Sequence, residues 1–353
     1  MKRYPHDLLR RIGREMFSAA GCSSEHAGMI TDHLVDASLA GHDSHGTLRM
    51  YEYIGQIADG MFDPKGQPEI VLQRACTAVV DGNGAFGQIG ANLAMQLAIS
   101  KAQEHGMASV TLRNSGHIGR VGAYTLLAAE QKLIGLVFAN AGRLGRQITP
   151  YGGIDGKLST NPISFAAPRR DAPPILVDMT TSVVAEGKVR VASNQGRTLP
   201  IGWIIDHHGQ PATDPGAYVN QPAGAILPLG GVVAYKGYCL SILVELLGGA
   251  LSGEGCAAGE VKMRNNGVMI NVYSIEHFTE MATYFDEVET LVQHIYTSRV
   301  DPEIGEIMLP GEPEWRAMTD RTDHGIPIDD TTWSRIGEAA RTLGLDPTAW
   351  NEE

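Results

Sequence analysis

A strand, a glycine-rich turn and a helix follow one another in VVDGNGAFGQIGANLAMQLAISKAQEHG, residues 79–106. Glycines 82, 84 and 87 have the spacing G-x-G-x-x-G, which in Rossmann folds lets the backbone approach a pyrophosphate at a helix N-terminus. Such a fold also needs an acidic residue about twenty positions later, at the end of the second strand. Here ASVTLRN ends in Arg113 and Asn114, and Asp81 places a negative charge directly before the first glycine. The pattern therefore predicts a tight strand-to-helix turn rather than a cofactor cradle.

The rest of the chain alternates strands and helices between two helical ends. Residues 1–75 predict a helical N-terminal domain, joined by C-terminal helices of about residues 312–353, and residues 76–311 predict an α/β region. The predicted strands are TAVVDG, ASVTLRN, LIGLVFANA, PILVDM and GWIIDH. The predicted helices are DLLRRIGREMFSAAG, SSEHAGMITDHLVDASLAG with an N-cap at Ser23-Ser24, QIGANLAMQLAISKAQEHG, GAYTLLAAEQK, YKGYCLSILVELLGG, MATYFDEVETLVQHIYTSR and DTTWSRIGEAARTLG.

Charge and composition exclude several classes of partner. A formal net charge of -12 argues against a general nucleic-acid binder, because such proteins present a basic stripe. Residues 237–253 are apolar but short, and Glu245 and glycines interrupt them, so they predict a buried core helix and no membrane span. The first twenty residues lack the apolar run of a secretory signal. Four cysteines without a C-x-x-C pair predict reduced thiols, so we expect a cytoplasmic protein.

One stretch, AGHDSHGTLRM, combines a histidine with a hydroxyl and an arginine. Ser44 precedes His45, and Arg49 follows four residues later. Histidine suits proton transfer near neutral pH, and arginine holds a carboxylate through two parallel hydrogen bonds. The alternative is a helix C-terminus capped by Gly41 and followed by a solvated loop. The stretch by itself leaves both interpretations open.

Other candidate residues lie further along the chain. In RNSGHIGRVGAY, His117 precedes a helix whose first turn holds Arg120, and such an N-terminus can bind an anion; a capped helix with an exposed histidine is the alternative. Thr160 and Asn161 in a glycine-rich loop suit hydrogen bonds to a ligand. No H-E-x-x-H or paired Cys/His spacing predicts a metal site, and no G-x-S-x-G elbow predicts a serine hydrolase.

Taken in order, these stretches resemble the second type of the malate/L-lactate dehydrogenase family. That family also includes sulfolactate, ureidoglycolate and hydroxycarboxylate dehydrogenases, diketogulonate reductase and a cyclic-imine reductase. The resemblance implies a non-Rossmann, sulfolactate-dehydrogenase-like fold with a mixed sheet and packed helices, and a homodimer with its active site in a cleft near the subunit interface. The matching segments, which span about residues 5–345, are GHDSHG, NSGHIGRVGAY, PYGG with STNPISFAAP, VDMTTS with GKVR, IDHHGQPATDP, YKGYCLSILVELLGGALSG and LPGEPE.

The resemblance also implies a nicotinamide cofactor, NAD or NADP, bound with the substrate in residues 76–311. The sequence does not distinguish the two cofactors. Lys236 is a candidate for binding a phosphate or a ribose of the cofactor. Together with Lys236, the residues expected to contact the cofactor are His45, Gly119, Arg120, Val121, Leu176, Val177, Asp178, Met179, Thr180, Tyr235, Asn271, Gly311, Glu312, Pro313 and Glu314.

The implied reaction moves a hydride between nicotinamide and a 2-hydroxy acid or 2-oxo acid. His45 or His117 would move the proton on the substrate oxygen, with Ser44 orienting His45 and Arg49 or Arg120 holding the carboxylate. We favour His45.

Two other functions stay open. A cyclic-imine carboxylate reductase on the same fold would share the carboxylate anchor and the hydride geometry. A catalytically silent binding protein is the other alternative, although it has no need of both histidines together with Arg49 and Lys236. Arg143 and Arg146 favour a substrate with a second acidic group, or are simply solvated.

Overall fold

A computed structural model describes residues 1–142, 146–258 and 266–351, so the candidate Arg143 lies outside the described residues. Its helices are α1 (His6–Ala19), α2 (Ser24–Leu39), α3 (Arg49–Ala58), α4 (Gly87–His105), α5 (Gly122–Glu130), α6 (Glu186–Asn194), α7 (Gly216–Val219), α8 (Tyr235–Val244), α9 (Met281–Tyr296), α10 (Glu312–His324) and α11 (Asp330–Thr342). Its strands are β1 (Lys2–Tyr4), β2 (Glu69–Gln73), β3 (Thr77–Asp81), β4 (Met107–Arg113), β5 (Leu133–Asn140), β6 (Ile163–Ala167), β7 (Ile175–Met179), β8 (Ile204–Ile205), β9 (Pro211–Ala212), β10 (Ala225–Ile226), β11 (Gly267–Ser274) and β12 (Ile326–Ile328).

Seven strands form the main sheet, in the order β2-β3-β4-β11-β5-β6-β7. The pair β3 and β4 is parallel, and the other neighbouring pairs in this sheet are antiparallel. The predicted α/β fold with a mixed sheet is therefore confirmed, as are the strands β3, β4, β5 and β7. The predicted strand GWIIDH is reduced to β8, two residues in a separate three-stranded sheet with β9 and β10. Of the strands of this sheet, sequence patterns missed β2, β6 and β11, although β11 is the central strand. Strand β2 lies within residues 1–75, for which the sequence predicts a helical domain.

The helix after the glycine turn covers one face of the sheet. Along α4, Ala91, Ala94, Ala98 and Ala102 recur at helical spacing and are fully buried. These small side chains bring α4 close to β3, β4 and β11, and α5 covers the neighbouring strands β5 and β6. The Val and Ile residues of the inner strands fill the space between the helices and the sheet. Burial of these apolar side chains is the main force that holds this layer together.

The two ends of the chain share a second hydrophobic core. Strand β1 pairs with β12, and Tyr4 stacks on Trp333 of α11 with ring centroids 3.9 Å apart. Buried residues of α1, α2, α3 and α11 pack in the same cluster. Helix α2 begins at the predicted cap, where Ser23 accepts a hydrogen bond from the backbone N–H of His26. A division into domains at residues 75 and 76 stays a prediction.

The glycine turn before α4 is the predicted strand-to-helix turn, and it packs against the segment that carries His117. A Cβ atom on Gly82 would lie 2.6 Å from the Ser115 side chain, and one on Gly87 would lie 2.2 Å from the carbonyl oxygen of Gly116. The backbone N–H of Gly116 in turn donates to Ala85. These glycines therefore permit close approach to the protein's own loop, at the point where a Rossmann fold would hold a pyrophosphate.

The prediction of a buried core helix at residues 237–253 is wrong for one face of that helix. Helix α8 continues as a π-helix over Glu245–Leu251, and its buried face is built of small or polar residues such as Ser241, Gly248 and Gly249. Several large side chains face outwards, with Leu246 57% and Leu251 60% exposed, whereas Val244 is fully buried. Apolar content alone could not predict this inversion, because close approach to β11 requires small residues on the inner face. Within the described ranges, no helix is long and apolar enough to cross a membrane.

Candidate active site

The two candidate histidines, 72 positions apart in the sequence, meet face to face in the fold. His45 lies at the end of a short 3₁₀ turn, Asp43–His45, between α2 and α3, and His117 lies in the loop between β4 and α5. Their rings are stacked, with centroids 5.4 Å apart and planes 12° from parallel. Both side chains are half-buried. The structure therefore brings both proton-transfer candidates to one place.

Ser44 and Arg49 lie beside His45, as the sequence predicts for its neighbours. Ser44 Oγ is 3.2 Å from His45 Nδ1, and the Arg49 Nε–H donates to the Ser44 carbonyl oxygen at 2.7 Å. Arg49 also pairs with Glu52, one turn further along α3. The guanidinium is thereby held next to both imidazoles, at a distance where its charge acts on each of them.

His117 has a partner that the sequence did not reveal. Tyr53 Oη lies 2.7 Å from His117 Nδ1, and Gln88 Nε2 donates to the same hydroxyl at 3.0 Å. Tyr53 is on α3 and is 1% exposed, and Gln88 is in the first turn of α4 and is 2% exposed. The helical spacing of Tyr53 indicates only a core position, so no sequence signal marked it.

The surroundings of both imidazoles favour the neutral form. Burial, reinforced by the charge of Arg49, lowers the pKa of His45 to about 3. Burial and Arg49 also lower the pKa of His117 well below its usual value. Burial raises the energy of a charged imidazole because water no longer solvates it, and a neighbouring cation adds to that cost.

A second group of charged residues joins the segments from which cofactor contacts are expected. Arg120, 4% exposed, lies with its Nε 3.5 Å from Asp178 Oδ2, and the same carboxylate oxygen accepts the Gly122 backbone N–H at 2.9 Å. His42 Nε2 lies 3.1 Å from Glu314 Oε1 at the start of α10. The His42 hydrogen bond lowers the pKa of Glu314, whereas burial raises the pKa of Asp178.

The segments around residues 176 and 311 are also in contact. The Leu176 backbone N–H donates to the Pro310 carbonyl oxygen at 3.0 Å. Gly311 has a φ of +99°, and a Cβ atom there would lie 2.9 Å from the Leu176 Cβ. Residues 119–122, 176–178 and 310–314 thus converge beside the segment 42–45 that holds His45.

Other predicted site residues lie elsewhere in this chain. The Asn161 amide is buried and donates to Ser241 Oγ at 2.9 Å and to Glu245 Oε1 at 2.8 Å, while the preceding Thr160 carbonyl accepts from Thr181. Among further predicted residues, Asn271 accepts a hydrogen bond from Ser109 on the sheet, and three others are exposed: Tyr235, Lys236 and Arg146. The expected ligand contacts of these residues remain predictions.

Comparison with known proteins gives a consistent picture. A family model described as malate/L-lactate dehydrogenase matches residues 4–337. The chain is 34% identical to hydroxycarboxylate dehydrogenase B of Escherichia coli O157:H7 over 344 residues, which are 96% of this chain and 93% of that protein. Sulfolactate dehydrogenase of Methanocaldococcus jannaschii superposes with a TM-score of 0.88 at 31% identity, covering 99% of this chain and 100% of that one. A Δ1-piperideine-2-carboxylate reductase of Pseudomonas syringae pvar. tomato superposes with a TM-score of 0.84 at 29% identity, covering 96% and 100%.

These matches run through both cores of the molecule and include the loops of the candidate site. Dehydrogenases of this family use nicotinamide cofactors. The chain therefore belongs to the malate/L-lactate dehydrogenase family and is an oxidoreductase that acts on a CH–OH group.

Proposed function

We propose that the protein interconverts a 2-hydroxy acid and a 2-oxo acid at the cleft lined by His45, His117 and Arg49. The observation that carries this proposal is the stacked histidine pair held beside one guanidinium. Arg49 attracts the substrate carboxylate, and an imidazole within reach of the neighbouring oxygen moves its proton. A bound nicotinamide supplies the hydride to C2 of the 2-oxo acid, or accepts it from the 2-hydroxy acid.

Of the two imidazoles, His45 is our proposed acid–base group. Its Nδ1 faces the Ser44 hydroxyl, which orients the ring and can act as donor or acceptor. A neutral imidazole accepts the 2-hydroxyl proton in oxidation, and a protonated one donates it in reduction.

The residues around Arg120 fit an anionic cofactor. Arg120 Nε lies 3.5 Å from Asp178 Oδ2, while Nη2 is buried and makes no hydrogen bond among the described residues. A buried donor of a charged group without a partner suits a ligand with phosphate oxygens. We propose that NAD or NADP lies along residues 119–121, 176–180 and 311–314, with His45 at its nicotinamide end. Tyr235, Lys236 and Asn271 are expected to complete the site.

The substrate-binding role of Thr160 and Asn161 is also part of the proposal. Asn161 Oδ1 is buried without a hydrogen-bond partner among the described residues, although the amide nitrogen is occupied. A ligand donor is one way to satisfy this oxygen.

A cyclic-imine carboxylate is the second candidate substrate. The observation in its favour is the structural likeness to the piperideine-carboxylate reductase. That substrate presents a carboxylate beside a C=N bond, so Arg49 and the histidine pair would serve it in the same way.

We further propose that the protein is a cytoplasmic homodimer. The outward leucines Leu243, Leu246 and Leu251 on α8 and its π-helical continuation form an apolar surface of the kind that partners cover. A second copy of the chain is the proposed partner. The division into a terminal helical domain and a region 76–311 is likewise a proposal.

The deciding experiment follows NADH and NADPH oxidation by absorbance, with a panel of 2-oxo acids and cyclic-imine acids. Turnover of a 2-oxo acid supports the proposal and identifies the cofactor. Turnover of imines alone establishes the second candidate. Cofactor binding without any turnover contradicts both and points to a catalytically silent protein.

The role of His45 has its own test. We expect His45→Ala to lower kcat by about 10²–10⁴-fold, the usual contribution of general acid–base catalysis. The dissociation constant of the cofactor, measured by fluorescence titration, shows whether binding persists. Turnover that survives in this variant with unchanged cofactor affinity would transfer the role to His117.

A further inference from the structure

The contact between Tyr53 and His117 determines which ring nitrogen of His117 carries hydrogen. A neutral imidazole has one N–H, and the hydrogen bond made by the other nitrogen decides its position. Gln88 Nε2–H donates to Tyr53 Oη at 3.0 Å, and Oη lies 2.7 Å from His117 Nδ1. The phenol has one hydrogen. With Gln88 already donating to Oη, this hydrogen is satisfied by donation to Nδ1.

The opposite arrangement would leave a buried group unpaired. If His117 Nδ1 carried the hydrogen, it would donate to Oη, and the Tyr53 O–H would then need another acceptor. The remaining amide atom, Gln88 Oε1, makes no hydrogen bond among the described residues in the orientation observed. An unsatisfied buried hydroxyl destabilises the arrangement, so with the Gln88 amide nitrogen facing Oη the chain of hydrogen bonds runs from Gln88 through Tyr53 to His117.

The surroundings hold this chain in place. Tyr53 packs against Phe62 and Phe86, with ring centroids 5.6 Å away in both cases. Gln88 lies under the loop of His117: Gly119 has a φ of +76°, and a Cβ atom there would lie 3.2 Å from Gln88 Nε2. A packed side chain loses little further freedom when it makes a hydrogen bond, so the geometry is preorganised.

We propose that Tyr53, held by Gln88, is a positioning residue that keeps His117 in the Nε2–H tautomer. His117 then stabilises a ligand oxygen by donating a hydrogen bond from Nε2, and it does not accept the substrate proton. The two stacked rings thereby have different roles, and proton transfer belongs to His45. The catalytic part of this inference rests on the proposed function, whereas the tautomer itself does not.

The test reads the ring directly. In the full-length protein with ¹⁵N-labelled histidine at pH 7, the NMR signals of His117, assigned by their loss in His117→Gln, are expected to show hydrogen on Nε2 alone. In Tyr53→Phe the ring loses its partner, and we expect both tautomers to appear. Tyr51→Phe is the matched control: Tyr51 is on the same helix but contacts Arg335, so the His117 signals should not change.

Kinetics give the second readout. Removing an oxyanion donor outright costs about 10²–10³-fold in kcat, whereas mixing the tautomers of His117 lowers kcat only in proportion to the remaining Nε2–H fraction, about twofold for equal populations. The dissociation constant of the cofactor should be unchanged, whereas a general loss of structure would weaken cofactor binding as well. A Tyr53→Phe variant with wild-type kcat contradicts the catalytic part.

A second variant keeps the inference testable if Tyr53→Phe does not fold. Gln88→Glu replaces the donor to Oη with an acceptor but leaves Tyr53, so the Tyr53 O–H can donate to the new carboxylate and an Nδ1–H tautomer of His117 should appear. Hydrogen on Nδ1 in the wild type, or unchanged His117 signals in both variants, would overturn the inference. If His117 shows a single Nε2–H tautomer but the protein turns over none of the 2-oxo or cyclic-imine acids, the tautomer assignment holds and the proposed reaction is contradicted.

Discussion

At the scale of single residues, burial decides the charge of the site. His45 and His117 lie against each other and against Arg49, and burial and that guanidinium depress both pKa values. The positive charge of Arg49 attracts an anionic substrate to this cleft, and the neutral imidazoles add no charge of their own. The same arrangement makes the two directions of the reaction respond differently to pH.

We expect kcat/KM for reduction of the 2-oxo acid to rise as the pH falls from 8 to 5, approaching tenfold per pH unit. The reason is that the donor must be protonated, and the pKa of His45 is about 3, so the protonated fraction of the free enzyme grows throughout this range. In the oxidation direction the base is already neutral, and kcat/KM should stay level over the same range. Initial rates in both directions measure this, and a level profile for reduction would exclude His45 as the donor.

His33 provides a stability prediction. Burial and the charge of Arg120 lower its pKa to about 3 in the folded protein, while the unfolded chain keeps a value near 6.5. As the pH falls from about 6.5 towards 3 the unfolded state therefore binds the proton first, and the free energy of unfolding decreases by up to about 1.4 kcal/mol per pH unit.

We expect His33→Gln to make this dependence shallower by about 1 kcal/mol per pH unit between pH 6 and pH 5. Glutamine can still accept the Arg120 backbone N–H, which donates to His33 Nε2 at 2.9 Å. Urea unfolding at several pH values measures the slope. An unchanged slope would show that His33 is protonated in the folded protein.

At the scale of elements, the glycine turn before α4 supports the loop that carries His117. The turn between β3 and α4 receives the Ser115–His117 backbone at van der Waals distance and presents Gln88 beneath that loop. A motif that is typical of phosphate binding thus positions a protein segment here. Binding a phosphate and packing against a protein loop both require close approach to the backbone, which glycine permits because it has no Cβ atom.

A pair of glycine substitutions tests this. In Gly87→Ala the new Cβ would lie 2.2 Å from the Gly116 oxygen and 2.4 Å from the His117 carbonyl carbon, so the loop must move. A 1 Å displacement in a site can cost about 10²-fold in rate, and we expect a loss of kcat/KM of that order. Gly28→Ala in α2 is the control, because nothing lies within 4 Å of its Cβ position and alanine favours a helix by about 1 kcal/mol. Equal activity in the two variants would mean that the turn does not position His117.

At the scale of the whole molecule, the outward leucines of α8 and its π-helical continuation predict an assembly. We expect light scattering to give twice the 37.9 kDa of the chain. Leu246→Glu places a charge in the proposed interface and should shift the mass towards that of a single chain, because burying an unpaired carboxylate is unfavourable. Ile304→Glu, at another exposed apolar residue, should leave the mass unchanged. A wild-type mass of one chain would contradict the homodimer.

Sequence alone determined the local features of this protein. Strand and helix periodicity identified β3, β4, β5, β7 and the helices α4 and α5, because side-chain alternation follows directly from backbone geometry. The family resemblance supplied the reaction class, and the segments that it pointed to include the histidine pair. The missing acid after ASVTLRN correctly argued against a Rossmann fold.

Only the tertiary structure decided how these pieces meet. Tyr53 and His117 are 64 positions apart, and His42 and Glu314 are 272 apart, so no local pattern relates their side chains. The central strand β11 lies between β4 and β5, which come much earlier in the chain, and the outward leucines of α8 and its π-helical continuation look like core residues in the sequence. Hydrophobic patterns report that a residue prefers burial, but packing decides which surface buries it.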